Sequence, residues 1–147
     1  MADERVVAVK LEQIEQHYGE SREKQRTLSR EEFLTNTTEQ RAVERMFENV
    51  VQACADLAKH IATTDLDWDR RSSKEAIVVL ARAGVIDDDT KETIVAAVGF
   101  RNVLAHEYGT IDYEEVFDIL TTGLDVYDTF SQQIARWVRT QNSSAHD

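Results

Sequence analysis

Within eight residues the chain places an arginine, an asparagine, a histidine and a tyrosine, as Arg101-Asn102-Val103-Leu104-Ala105-His106-Glu107-Tyr108. A guanidinium keeps its charge at any ordinary pH. An imidazole has the ordinary pKa nearest neutrality and serves as acid or base. Together they form a minimal set for moving protons at a phosphate, with the arginine countering the negative charge that builds in the transition state. The Tyr108 hydroxyl can donate, accept or be modified.

The segment ends an apolar helical run, so its geometry is that of a helix. Arg101 and Tyr108, seven apart, fall nearly on one face. Arg101 and His106, five apart, diverge by about 140° on an ideal helix. One copy of the segment therefore closes no tight Arg–His pair, whereas a two-fold dimer could bring both residues from each chain into a shared cleft. Taken singly, each residue also has a structural role open to it. Arg101 can neutralise a helix end and pair with Glu107 or Asp112, His106 can be a satisfied structural histidine, and Tyr108 can be a buried anchor.

The elements that must position these residues read as helices. The chain has 147 residues, enough for one core, with no proline and only 5 glycines, a composition that favours an all-α protein. A single domain is expected over residues 1–140, with a disordered tail at 141–147. Five helical segments are expected. The first runs from about Asp3 to Arg26, with Val6, Val9, Leu11, Ile14 and Tyr18 at helical spacing. Ser29 and Glu32 then form an N-capping turn that tucks Phe33 and Leu34 inward. The second starts near Asn36 or Thr37, with a stripe from Val43 through Met46, Phe47, Val50, Cys54 and Leu57 to Ile61. The stretch from Thr63 to Asp69 reads as an acidic loop anchored by Trp68. The third starts at Ser72 or Ser73 and ends at Gly84. The fourth, about Asp88 to Ala105, has acids in its first turn and delivers the Arg/His segment at its end. After a turn at 109–112, the fifth runs from Tyr113 to Arg139.

Charge and the remaining polar residues limit the alternatives. The net charge is −11, from 17 basic and 28 acidic residues. That is unusual for a nucleic-acid binder, whose affinity normally comes from lysine and arginine. Either the acids coat a surface adapted to high salt, or the protein binds no nucleic acid. Lysine supplies only five of the basic residues, which fits the first idea weakly. The lone Cys54 rules out an intramolecular disulfide and reads as a buried hydrophobe. No apolar run reaches membrane-spanning length, and the N-terminus is charged, so a soluble cytoplasmic protein is expected. His17, His60 and His146 have no metal-ligand spacing. Asp65, Asp67 and Asp69 lack the glycine and distal glutamate of a calcium loop. No metal site and no cofactor are expected. Arg41 and Arg45, one turn apart, could line an RNA or partner groove, or simply pair with Glu44 and Glu48. Arg70-Arg71 reads as a solvated pair.

The Arg101-x-x-x-x-His106-x-Tyr108 pattern resembles the motif of the HEPN superfamily, and more narrowly the HepT group, the toxin half of HepT/MntA (HEPN/MNT) toxin–antitoxin systems. Gln40-Arg41-Ala42-Val43-Glu44-Arg45, Ala53 to Ala58, Leu80 to Ile86 and Val98 to Tyr108 resemble the family's blocks in the same order, from about residue 5 to 135. The resemblance implies an all-α HEPN helical bundle of four to five helices, acting as a homodimer with a composite cleft. It implies the toxin of a type VII system, a metal-independent endoribonuclease. In that reading Arg101 and His106 are catalytic and Asn102 is supporting. The RNA 2′-hydroxyl attacks phosphorus, leaving a 2′,3′-cyclic phosphate and a 5′-hydroxyl. The implied partner is an MNT-type nucleotidyltransferase antitoxin that transfers AMP from ATP to Tyr108. Neither DNA nor membrane is an implied partner. Two other readings stand beside it: a catalytically silent HEPN module that binds a minimal nucleotidyltransferase, and a generic helical scaffold.

Overall fold

Small polar residues set where the helices begin. In the computed structural model, which describes residues 3–68, 72–106 and 111–145, Asp3, Ser29, Asn36, Ser72 and Asp112 each accept a backbone N–H of the helix that follows. Each cap satisfies a donor that the first turn would otherwise leave unpaired. The helices, among the described residues, are α1 (Glu4–Thr27), α2 (Arg30–Thr35), α3 (Thr37–Asp65), α4 (Ser73–Arg82), α5 (Asp88–His106), α6 (Tyr113–Thr122) and α7 (Asp125–Ala145). No strand occurs among them, as the composition led one to expect. None of them is long and apolar enough to cross a membrane.

Helix α3 is the axis of the bundle and packs against all six other helices. Val50, Val51, Cys54, Ala55, Leu57, Ala58 and Ile61 along it are completely buried. Alternating small and large side chains let the neighbouring helices approach closely. Cys54 is buried as expected, and burial pushes its thiol well above the ordinary range. It is therefore an inert hydrophobe rather than a reactive group. Phe33 of α2 is fully buried against Phe117 and Tyr113 of α6, with ring centroids 5.7 and 6.1 Å away. The capping turn at Ser29 is thus a real helix, short but locked by an aromatic cluster.

The turn after α4 follows the glycine signal. Gly84 has φ +79°, and the Gly84 and Val85 amides donate to Ala81 and Leu80 at 3.1 and 2.9 Å. This is the paired bonding that closes a helix through a left-handed residue.

Several boundaries differ from the sequence reading. The expected fifth helix is two, α6 and α7, broken at Gly123-Leu124. A Cβ on Gly123 would lie 2.9 Å from the Ile119 carbonyl oxygen, so only glycine fits the bend. The break turns Leu124 into the core, where it is 4% exposed. Helix α3 absorbs Thr63, Thr64 and Asp65, expected in a loop. The two threonine hydroxyls bond back to Lys59 and His60 carbonyls and stay compatible with the helix. Trp68 packs against the core as an anchor. Helix α7 continues through Ala145, past the end near Arg139 expected for the fifth helix, and Asn142 bonds the Glu4 carboxylate at the start of α1. Val9, placed on the inward stripe of α1, is 51% exposed; Val7 is the buried residue there.

Candidate active site

Helix α5 carries the Arg/His segment. Ile94, Val98 and Leu104 face the core at 0, 2 and 4% exposure. Phe100 packs edge-on against Phe47 of α3, with centroids 5.6 Å apart. These contacts fix the helix up to its last turn. Beyond the apolar face, Asn102, Val103, Ala105 and His106 are exposed, and Arg101 is half-buried. Val103 is 39% exposed, on the opposite side of α5 from Arg101.

Arg101 points back to α3. Its Nη1 donates to the Gln52 side-chain oxygen at 2.6 Å. The Gln52 amide nitrogen donates in turn to Asp56 Oδ1 at 2.7 Å. Lys10 Nζ of α1 lies 3.7 Å from the other oxygen of the same carboxylate. Gln52, Asp56 and Lys10 escaped the sequence reading. Gln52 and Asp56 have the spacing of a helical pair, but nothing local connects either to Arg101.

The structure brings Arg101 to Gln52 rather than to His106. His106 closes α5 on the exposed side of the bundle, and no hydrogen bond joins it to Arg101. This agrees with the divergence expected on one helix. Tyr108, with Gly109 and Thr110 of the expected turn, lies outside the described residues, as do Asp69, Arg70, Arg71 and His146. Arg41 and Arg45 are paired. Arg41 contacts Glu44 at 3.1 Å and the Tyr113 hydroxyl at 3.0 Å, and Arg45 lies 3.7 Å from Glu48. Burial, then Glu44, raise the Tyr113 phenol above its ordinary range. Among the described residues, no three His, Cys, Asp or Glu side chains converge as metal ligands.

The family described as Ribonuclease HepT-like matches residues 14–134. The chain belongs to the HepT-like ribonuclease family. The match spans Gln52, Arg101, Asn102, His106 and Tyr108. The chain is 26% identical over 135 residues to the tRNA nuclease HepT of Aphanizomenon flos-aquae, covering 92% of this chain and 91% of that one. It is 23% identical over 120 residues to the mRNA nuclease HepT of Shewanella oneidensis, covering 82% and 84%. In fold it is similar to the tri-AMPylated Shewanella oneidensis HEPN toxin, solved in complex with an MNT antitoxin. The TM-score is 0.82 at 22% identity, over 92% of this chain and 99% of that one. The all-α HEPN bundle is therefore the fold of this HepT-like chain.

Proposed function

We propose that this chain is the ribonuclease toxin of a HEPN/MNT toxin–antitoxin pair, acting in the cytoplasm on RNA. The observation that carries this reading is the family match over residues 14–134, with Arg101 and His106 at the solvent-facing end of α5 inside it. The RNA 2′-hydroxyl attacks the adjacent phosphorus. The O2′–P bond forms, the P–O5′ bond breaks, and the proton leaves O2′ and reaches O5′. His106 accepts or supplies that proton, Arg101 holds the non-bridging oxygens, and Asn102 orients a phosphate or the imidazole. The nucleophile belongs to the substrate and already lies near its target, so the reaction asks for no metal-bound water.

Because Arg101 and His106 diverge on α5, the working unit in this reading is a homodimer that pairs them across a shared cleft. The solvent-exposed Val103 gives α5 an apolar side chain to bury there. Control falls to Tyr108. Its hydroxyl oxygen attacks the α-phosphorus of ATP on the antitoxin, AMP is retained and pyrophosphate leaves. The added phosphate repels and blocks RNA. The tri-AMPylated relative supports this step.

The test is incubation of the purified protein with total RNA, with and without EDTA, beside His106→Ala. Cleavage is expected in both buffers for the wild type and in neither for the variant, with circular dichroism unchanged. Loss of wild-type cleavage in EDTA would sink the mechanism. Co-expression with an MNT-type nucleotidyltransferase should add one or more AMP masses at Tyr108 and none to Tyr108→Phe, and an increment mapped elsewhere would reassign the modified residue. The net charge of −11 favours a second reading, a silent module that binds the nucleotidyltransferase. Absence of wild-type cleavage at every salt concentration would select it.

A further inference from the structure

Gln52 stands between two groups that each leave its amide no choice. A guanidinium only donates hydrogen bonds and a carboxylate only accepts them. With Arg101 Nη1 2.6 Å from its oxygen and Asp56 Oδ1 2.7 Å from its nitrogen, the amide has one satisfied orientation. Rotated by half a turn, it would set NH₂ against the guanidinium and oxygen against the carboxylate. Lys10 holds the far oxygen of Asp56 from α1. The base of this relay is rigid, since Val51 and Ala53 on either side of Gln52 are buried. The moving part is the long arginine side chain, which needs an external partner to hold one direction.

We propose that Gln52 is a positioning residue for Arg101, itself oriented by Asp56, so that helices α1 and α3 aim the guanidinium of α5 at the scissile phosphate. One N–H is spent on Gln52, and among the described residues no other hydrogen bond engages the guanidinium, whose remaining donors suit phosphate oxygens. The inference rests on the ribonuclease reading above. It adds to that reading three residues outside the Arg/His segment and a reason why an arginine near the end of a helix holds one direction.

The experiment measures cleavage of bulk tRNA by the full-length protein, with kcat and KM separated and melting temperature recorded for each variant. Gln52→Leu should lower kcat on the order of tenfold, the scale of losing a hydrogen bond to a charged group, and leave KM within about twofold. Asp56→Ala should lower kcat less, because the amide survives but turns. The double variant should be no slower than Gln52→Leu alone, because Asp56 acts only through Gln52. Gln52→Glu in an Asp56→Ala background, which retains an oxygen facing Arg101 without setting carboxylate against carboxylate, should keep more of kcat than Gln52→Leu.

A second readout needs no activity: the guanidinium ¹⁵N–¹H signals of Arg101, assigned by their loss in Arg101→Lys. They should be resolved in the wild type and broadened or merged in Gln52→Leu. A KM rise at constant kcat makes Gln52 an RNA contact and overturns the proposal, as do multiplied losses in the double variant or unmoved guanidinium signals. If the wild type cleaves no RNA while the signals of Gln52→Leu still merge, the ribonuclease reading fails and the Arg101–Gln52 contact stands alone.

Discussion

At its start, helix α5 is tied into the bundle by Asp87. The carboxylate accepts the Thr90 amide at 2.8 Å, and its second oxygen accepts the Gln133 side chain of α7 at 2.8 Å. The Asp87 amide returns a bond to Gln133 at 3.1 Å. Thr90 and Ile94 are buried behind it. At its end, the same helix presents Asn102, Val103, Ala105 and His106 to solvent. Leu104 there is buried, and Arg101 reaches back to Gln52 of α3. At the first end Asp87 and Thr90 are spent on holding the helix. The second leaves Asn102 and His106 open to a substrate or a second chain, and can do so because the first already fixes the helix direction.

If that division holds, activity and stability separate along one helix. The largest effect belongs to the open end. Arg101→Ala should cut RNA cleavage on the order of 10³-fold, as loss of a transition-state donor does, while the melting temperature barely moves. Mixing Arg101→Ala chains with His106→Ala chains should restore part of the activity if each cleft draws on both copies. A monomer by light scattering at micromolar concentration would remove the shared cleft. Next comes the closed end. Ile94 is fully buried, so Ile94→Ala should cost about 2–5 kcal/mol by cavity formation, read from denaturant midpoints. Cleavage per folded molecule should stay near wild type. A thermally intact Ile94→Ala that has lost cleavage would break the comparison, since packing at the start of α5 would then control the chemistry at its end.

Helix periodicity and caps made most of the architecture legible, because both are local. Ser29, Asn36 and Ser72 announce their helices within three residues, and the stripe from Val43 to Ile61 is the bundle axis. The break at Gly123 was not legible. Its cause is a close approach of backbone to the Ile119 carbonyl, and the surrounding apolar spacing continues through it. Thr63 and Thr64 misled in the opposite sense, since their back-bonded hydroxyls suit a helix end as well as a loop. At the candidate site, Arg101, Asn102 and His106 were named from one short segment and its family resemblance. Gln52 was not, because its meaning depends on α3 and α5 being side by side, a separation of 49 residues.

The smallest effect sharpens the comparison through pH. The Asp87 carboxyl is held below the ordinary carboxylate range, chiefly by the Thr90 amide, then by the Thr90 side chain and Gln133, with burial opposing. Its folded pKa therefore lies below its unfolded one. The stabilisation is present in full above the unfolded value, near pH 4, and disappears as pH falls through the folded value. Asp87→Asn keeps a side-chain oxygen for the Thr90 amide and removes the charge. The stability gap between wild type and Asp87→Asn should be constant from neutrality down to about pH 5, narrow below about pH 4, and vanish once Asp87 is protonated. Comparing the two proteins at each pH cancels the other acidic groups. At neutral pH both should cleave RNA at the same rate per folded molecule, because Asp87 lies at the closed end of α5. A gap that widens in acid would reverse the assigned shift, and a slower Asp87→Asn enzyme would show that the closed end of the helix reaches into the chemistry of the open one.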